Sequence, residues 1–225
     1  MLTDADIKKV KYLMSLRETY FLDGLRNKDF TGVDLTKADL HEMQIINVNF
    51  KNAILDGVNF YDSQLINCNF SGANIKRSIL RKSSIMDCIF DKSEMAQADM
   101  SEAAIYNTVF QGSDMHLAKF SNGRILDSSF KNCQMGSASF SSACIVNCRF
   151  DTCDMQHIGS DKSLITGTTF SDSKLSHMSL NNATIYDTNM INTDTENMLL
   201  VETRLGIDID LFKKARKVDV KIISK

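Results

Sequence analysis

The sequence predicts an all-β solenoid with four-sided coils, and three observations carry that expectation. Large apolar residues recur every five positions from Leu25 to Leu205 without a shift of register, and only Ser160 and Thr195 among those 37 positions depart from the rule. Every fourth of these positions carries the same kind of side chain, so one turn takes twenty residues. Proline is absent from all 225 positions, as expected where nearly every amide donates to a neighbouring coil. The periods of 2 and 3.6 that mark isolated strands and helices do not fit the middle of the chain.

Twenty-residue spacing sorts the central positions into separate ladders. One side holds Phe30, Phe50, Phe70, Phe90, Phe110, Phe130, Phe150 and Phe170, ending in Met190. The next holds Leu35, Leu55, Ile75, Met95, Met115, Met135, Met155 and Leu175. A third runs Ile45, Leu65, Ile85, Ile105, Ile125, Ile145, Ile165, Ile185 and Leu205. Stacked at an inter-strand spacing of ~4.8 Å, nine coils make a rod roughly 40 Å long. The phenylalanine, leucine-methionine and isoleucine ladders are the expected core.

Two residues before each large side chain sits a small or modest one, such as Ala38, Val48, Ala53, Cys68, Ala73, Cys88 and Ala98. At Ser160 the bulk moves to Ile158, an exchange that keeps local volume nearly constant, which a packed interior tolerates better than a void.

Units such as Ala38-Asp39-Leu40-His41-Glu42 and Ala73-Asn74-Ile75-Lys76-Arg77 resemble the pentapeptide-repeat family over roughly residues 25–205. The resemblance implies a right-handed quadrilateral β-helix whose four pentapeptides make one square coil.

A solenoid must cover the core and the hydrogen-bonding edges at its ends. Residues 1–24 form the expected N-terminal helical cap. Thr3 or Asp4 is a candidate N-cap there, and Ile7, Val10, Leu13, Met14 and Phe21 lie near helical spacing. Residues 206–225 form the expected C-terminal cap: a short helix opened by Asp208 or Asp210 and running through Leu211 to Arg216, then a strand alternating Val218, Val220 and Ile222. That order of elements is similar to the C-terminal module through which some quinolone-resistance members of the family pair, which makes a homodimer through this segment one expectation.

With 26 basic and 28 acidic residues the chain has no global field suited to gripping nucleic acid, and direct nucleic-acid binding is not expected. The N-terminus lacks a secretory signal and no apolar run is long enough to span a membrane, so a soluble cytoplasmic protein is expected. Five of the six cysteines, Cys68, Cys88, Cys133, Cys148 and Cys153, fall in the small inward slot, whereas Cys144 should point outward. No C-x₂-C pair of the kind zinc sites use occurs, and no cofactor or metal is expected. His157 and His177, twenty residues apart, should stack on consecutive coils as solvated corner residues. No phosphate loop, nucleophile elbow or kinase-like set is present, so enzymatic activity is not expected.

The residue after each central side chain should face solvent, and beside the phenylalanines it is polar. Beside the isoleucines it is Ile46, Ile66, Met86, Tyr106, Leu126, Val146, Thr166 and Tyr186, a contiguous apolar row of the kind that marks binding surfaces. The expected function is a non-catalytic scaffold whose protein partner, or second copy, docks on Ile46, Ile66, Met86, Tyr106, Leu126, Val146 and Tyr186. Two further readings come from the family resemblance: a DNA-mimicking gyrase-binding protein of the quinolone-resistance type, and a secreted bacterial effector adaptor. Asp34, Glu94, Asp114, Asp154 and Asp194 form the most acidic row, but Ile54 and Lys174 interrupt it.

Overall fold

Corners shape this molecule more than strands do. The computed structural model describes residues 24–218 and 220–222, with nothing said of the Val218 side chain. Every fifth residue from Asn27 to Glu202 has a positive φ, between 46° and 68°. A left-handed residue costs about 1–2 kcal/mol when it carries an ordinary side chain, and least for glycine, asparagine and aspartate. Those three types fill more than half of the corners, as at Asn47, Asp87 and Gly167.

Between corners the chain is extended for about three residues, so the central side chain points inward and its neighbours outward. The unit's Asp or Asn, just before the central residue, then has a local task. Its side chain accepts a hydrogen bond from the amide two residues on, as Asn69 does from Ser71 at 2.9 Å and Asp99 from Ser101 at 3.0 Å. This is an Asx turn, which bends the chain toward the corner without help from another coil.

Successive coils are joined by backbone bonds. The Phe50 amide donates to the Asn69 carbonyl at 2.7 Å and the Asn69 amide to the Val48 carbonyl at 3.0 Å; the corner amide of Asn47 reaches Ile66 at 2.9 Å. The isoleucine side forms an eleven-stranded parallel sheet from Leu25–Arg26 to Lys221–Ile222, and the phenylalanine side a six-stranded one from Ile89–Asp91 to Asn189–Ile191. On the two other sides isolated parallel bridges such as Asp34↔Ile54 and Asp39↔Asn59 hold the same twenty-residue register.

The core is the set of inward columns. From Phe30 to Phe170 neighbouring phenyl rings stack with centroids 4.6–5.5 Å apart and planes within 13° of parallel. Phe60, Phe120 and Phe140, on another side, meet that column edge-on at 6.1–6.4 Å. Stacked and edge contacts are both favourable for aromatic quadrupoles. Ile158 and Ser160 are both fully buried, so the exchange of bulk inferred from sequence takes place inside the core.

Serine, threonine and cysteine in the small inward slot have a role that volume alone does not reveal. At several corners the amide of this slot does not close the local turn, and it donates instead to the hydroxyl one coil further on: Thr108 to Ser128 at 3.2 Å, Cys153 to Ser173 at 3.0 Å. The hydroxyl or thiol then donates to a carbonyl of its own or the preceding coil, as Cys133 does to Phe110 at 3.2 Å and Thr203 to Leu180 at 2.7 Å. These buried polar groups are thereby paired, as a packed interior favours, whereas the buried Ser78 hydroxyl has no partner.

The expected helical cap of residues 1–24 lies outside the described residues, apart from Gly24. At the other end the expected cap is a tenth, shorter coil. Asp208 caps a 3₁₀ helix at Ile209–Phe212 by accepting from the Asp210 amide at 2.8 Å, and Phe212 is fully buried against the end of the core. The helix ends at Phe212 rather than at Arg216, because Arg216–Val218 must already be extended to pair with Leu199–Val201. Nor is there one strand over Val218, Val220 and Ile222: Lys221–Ile222 lies on the next side and pairs with Arg204–Gly206. Leu205 faces Ile222 after seventeen residues rather than twenty, since the helix replaces pentapeptide units.

Phe110→Ala should lower unfolding free energy by about 3–5 kcal/mol by opening a void in the stack. Leu117, exposed at a corner with φ 58°, should gain up to about 1 kcal/mol as Leu117→Asn, because asparagine tolerates that conformation better. Denaturant melts of the two variants check both signs.

Candidate binding face

The eleven-stranded sheet sets the row of residues that follow the isoleucines in one straight column. Ile46, Ile66, Met86, Tyr106, Leu126, Val146, Thr166 and Tyr186 are consecutive register partners across seven strand pairings. Tyr106 and Tyr186 are exposed, at 44% and 39%, and the others are half-buried. Every sequence-predicted binding residue therefore lies on one face, and the predicted core residues Phe30 through Phe170 lie on the inside. At the C-terminal end the column closes with the buried Gly206, beside Tyr186.

The sheet's corner supports this row. Asn47 donates to Asn27 at 3.1 Å, Asn67 to Asn47 at 2.8 Å, Asn107 to Asp87 at 2.7 Å and Asn147 to Asp127 at 3.2 Å. Asparagine at this position thus serves twice: it accepts the left-handed backbone, and its amide links neighbouring coils. Gly167 interrupts the rail, and a Cβ there would meet the Asn147 side-chain oxygen at 2.2 Å.

Around this corner the apolar surface continues where sequence reasoning did not place it. Ile89 and Val109, exposed at 44% and 41%, open the next side. Their position is held by Asp29, Asn49 and Asn69 in earlier coils, so the signal was the loss of the Asx residue in the coils that carry Met86 and Tyr106.

The chemistry-bearing side chains are dispersed. Cys68, Cys88, Cys133, Cys148 and Cys153 are buried, and burial pushes the Cys148 thiol up to about 11 and the Cys88 thiol up as well. Cys144 alone is partly exposed. His157 and His177 stack with ring centroids 4.7 Å apart, and His177 Nε2 lies 3.4 Å from Asn197 Nδ2. Among the described residues no three His, Cys, Asp or Glu side chains form a group able to hold a metal.

Two members of the acidic row are matched by lysines. Glu94 pairs with Lys76 at 2.8 Å, and Asp154 with Lys174 at 3.5 Å. At Asp114, burial opposes ionisation but is outweighed by hydrogen bonds from the His116 ring, at 2.7 Å, and amide, so the carboxyl titrates below its ordinary value.

A profile described as pentapeptide repeats (8 copies) matches residues 25–52 and 44–81, and one described as a pentapeptide repeat region matches 83–159. The chain belongs to the pentapeptide-repeat family. Its fold is similar to that of full-length QnrB1, a plasmid-mediated fluoroquinolone resistance protein, with a TM-score of 0.72 at 14% identity over 88% of this chain and 92% of that one. HetL, a pentapeptide repeat protein involved in heterocyst differentiation regulation from the cyanobacterium Nostoc, aligns with a TM-score of 0.34 at 17% identity over 88% and 81% of the two chains. Comparison with curated proteins gives no match. No helix among the described residues of this pentapeptide-repeat chain is long and apolar enough to cross a membrane.

Titration of the folded protein with a thiol reagent near neutral pH should modify Cys144 quickly and leave the five inward cysteines unmodified until the rod unfolds, since the reagent cannot reach a buried thiol. Mass mapping of the labelled peptide checks this; rapid labelling at Cys148 would contradict the assigned packing.

Proposed function

We propose that the protein is a non-catalytic scaffold of the cytoplasm that holds a protein partner along its isoleucine side. One observation carries the reading: the apolar residues Ile46 through Val146 stand in unbroken register along one face, while the row that follows the phenylalanines is polar. Solvent selects against such a row, and contiguous exposed apolar surface is the usual mark of a contact. The rigid ladder beneath it adds to this, because a pre-ordered face loses little conformational entropy on docking. Ile89 and Val109 broaden the contact, and Tyr106 at its centre is a residue type enriched in binding hot spots.

The gyrase-binding reading draws support from the likeness of fold to a fluoroquinolone resistance protein. Its electrostatics are poor. A surface that imitates duplex DNA needs regular unpaired negative charge, whereas here Glu94 and Asp154 are paired with lysines and Ile54 interrupts the row.

The double variant Tyr106→Glu/Leu126→Glu should melt within about 1 kcal/mol of the wild type, since Tyr106 is exposed and Leu126 only half-buried on the outer face, yet lose capture of the partner or of a second copy. Pull-down from the native cell and sedimentation check this; unchanged association would retire the face as an interface. A supercoiling assay with and without a quinolone separates the two readings: the scaffold leaves gyrase unaffected.

A further inference from the structure

Two unlike columns border the apolar row on the isoleucine side. One is made by the residues that open each strand, and at three coils it offers hydrogen-bond donors: Ser84, Arg124 and Thr184. The other is the corner rail, which at the same three coils carries Asp87, Asp127 and Asp187. Bulk is distributed in the same way. Leu164 opens the strand whose corner is Gly167, and Ser84 and Ala104 open the strands that are followed by the exposed Ile89 and Val109. Within each of these coils the two borders therefore complement one another in charge, hydrogen bonding or volume.

A surface of this kind complements itself under one operation. A twofold axis along the row, with both rods running the same way, lays each border of one copy over the opposite border of the other at the same coil. The inference rests on the reading of the isoleucine side as the contact face: we infer that the partner is a second copy of this chain, docked as a parallel twofold dimer. Arg124 of each copy meets Asp127 of the other, both side chains being exposed. Ser84 and Thr184 meet Asp87 and Asp187, and Leu164 covers Gly167. Arg149, the other cation beside this corner, falls opposite Cys144, so no like charges face each other between the coils of Ile46 and Tyr186.

Antiparallel rods fit worse. They set each column on itself in reverse, so full overlap of the coils from Ile46 to Tyr186 puts Arg124 on Ala104 and Asn67 on Gly167. A shift of one coil either way puts Asp127 on Asp87 or on its own counterpart. An unrelated partner, for its part, needs no agreement between the two borders of a single coil. The row is about 35 Å long and the strip between its borders roughly 15 Å wide. The dimer then buries about 1,000 Å² in total, the size of a reversible contact rather than a permanent one. Complementary charge at such a contact fixes register and orientation more than it adds affinity.

Sedimentation equilibrium of the full-length protein, from low to high micromolar concentration, tests the dimer. The wild type should associate reversibly to a dimer and Tyr106→Glu/Leu126→Glu should stay monomeric. Arg124→Asp and Asp127→Arg should each raise the dissociation constant about fivefold with melting unchanged, and their combination should restore it; Arg77 shows that such a corner accommodates arginine. In a Cys144→Ser background, Ile66→Cys and Val146→Cys should each be joined to its own copy by a short bis-maleimide, since both lie on the axis. Joining of Ile66→Cys to Thr166→Cys in a mixture of the two variants, with neither joined to itself, would mean antiparallel rods and overturn the proposal, as would single charge variants that dimerise like the wild type. A wild type that is monomeric throughout also overturns it. If Tyr106→Glu/Leu126→Glu then still abolishes capture of another protein, the isoleucine side remains a contact and only the second copy is lost, whereas a dimer that this double variant leaves intact removes both.

Discussion

Closure of the square at every twentieth residue is the constraint on which everything else rests. A left-handed residue at each fifth position turns the chain, and the turns repeat without slippage from Asn27 to Glu202. Because register never drifts, each side chain meets its own kind one coil away. Rings then stack on rings, and the amide of each coil finds the carbonyl of the next. One residue inserted anywhere would move every later side chain to the wrong position of its unit, which explains a chain without a single irregular loop between Leu25 and Leu205.

That regularity also shapes the functional surface. Catalytic groups sit mostly on loops that depart from a scaffold, and here the scaffold has none along its length. What it offers is columns: a side chain type chosen at one position is repeated at a spacing of about 4.8 Å. The isoleucine side uses this to build a continuous apolar face, and the methionine and cysteine positions use the same rule to fill the interior. Function in such a molecule rests on which column is apolar and which is charged.

Much of this was legible in the sequence, because a period of five with a twenty-residue super-period is a long-range signal that local propensity does not blur. The phenylalanine column, the inward cysteines, the Asn47–Asn67 rail and the face from Ile46 to Tyr186 all follow from counting. Less was legible where counting stops. The role of Thr108 or Ser173 as hydrogen-bond bridges depends on which corners leave an amide open, and composition at one site does not reveal that. Ile89 and Val109 join the apolar face only after the corner is folded. At the C-terminal end the period breaks, so counting sets the helix too far along the chain: a seventeen-residue coil has no counterpart upstream to read it from.

Coil deletion measures the central claim most directly. Removing residues 111–130 joins Phe110 to Lys131 in the same phase, whereas removing 111–120 rotates everything downstream by half a coil. A thermal melt followed by β-sheet circular dichroism should show the twenty-residue deletion folding cooperatively, with a modest loss of stability, and the ten-residue deletion failing to fold. Equal tolerance of both deletions, or collapse of the in-phase one alone, would contradict a rod whose unit is the closed square.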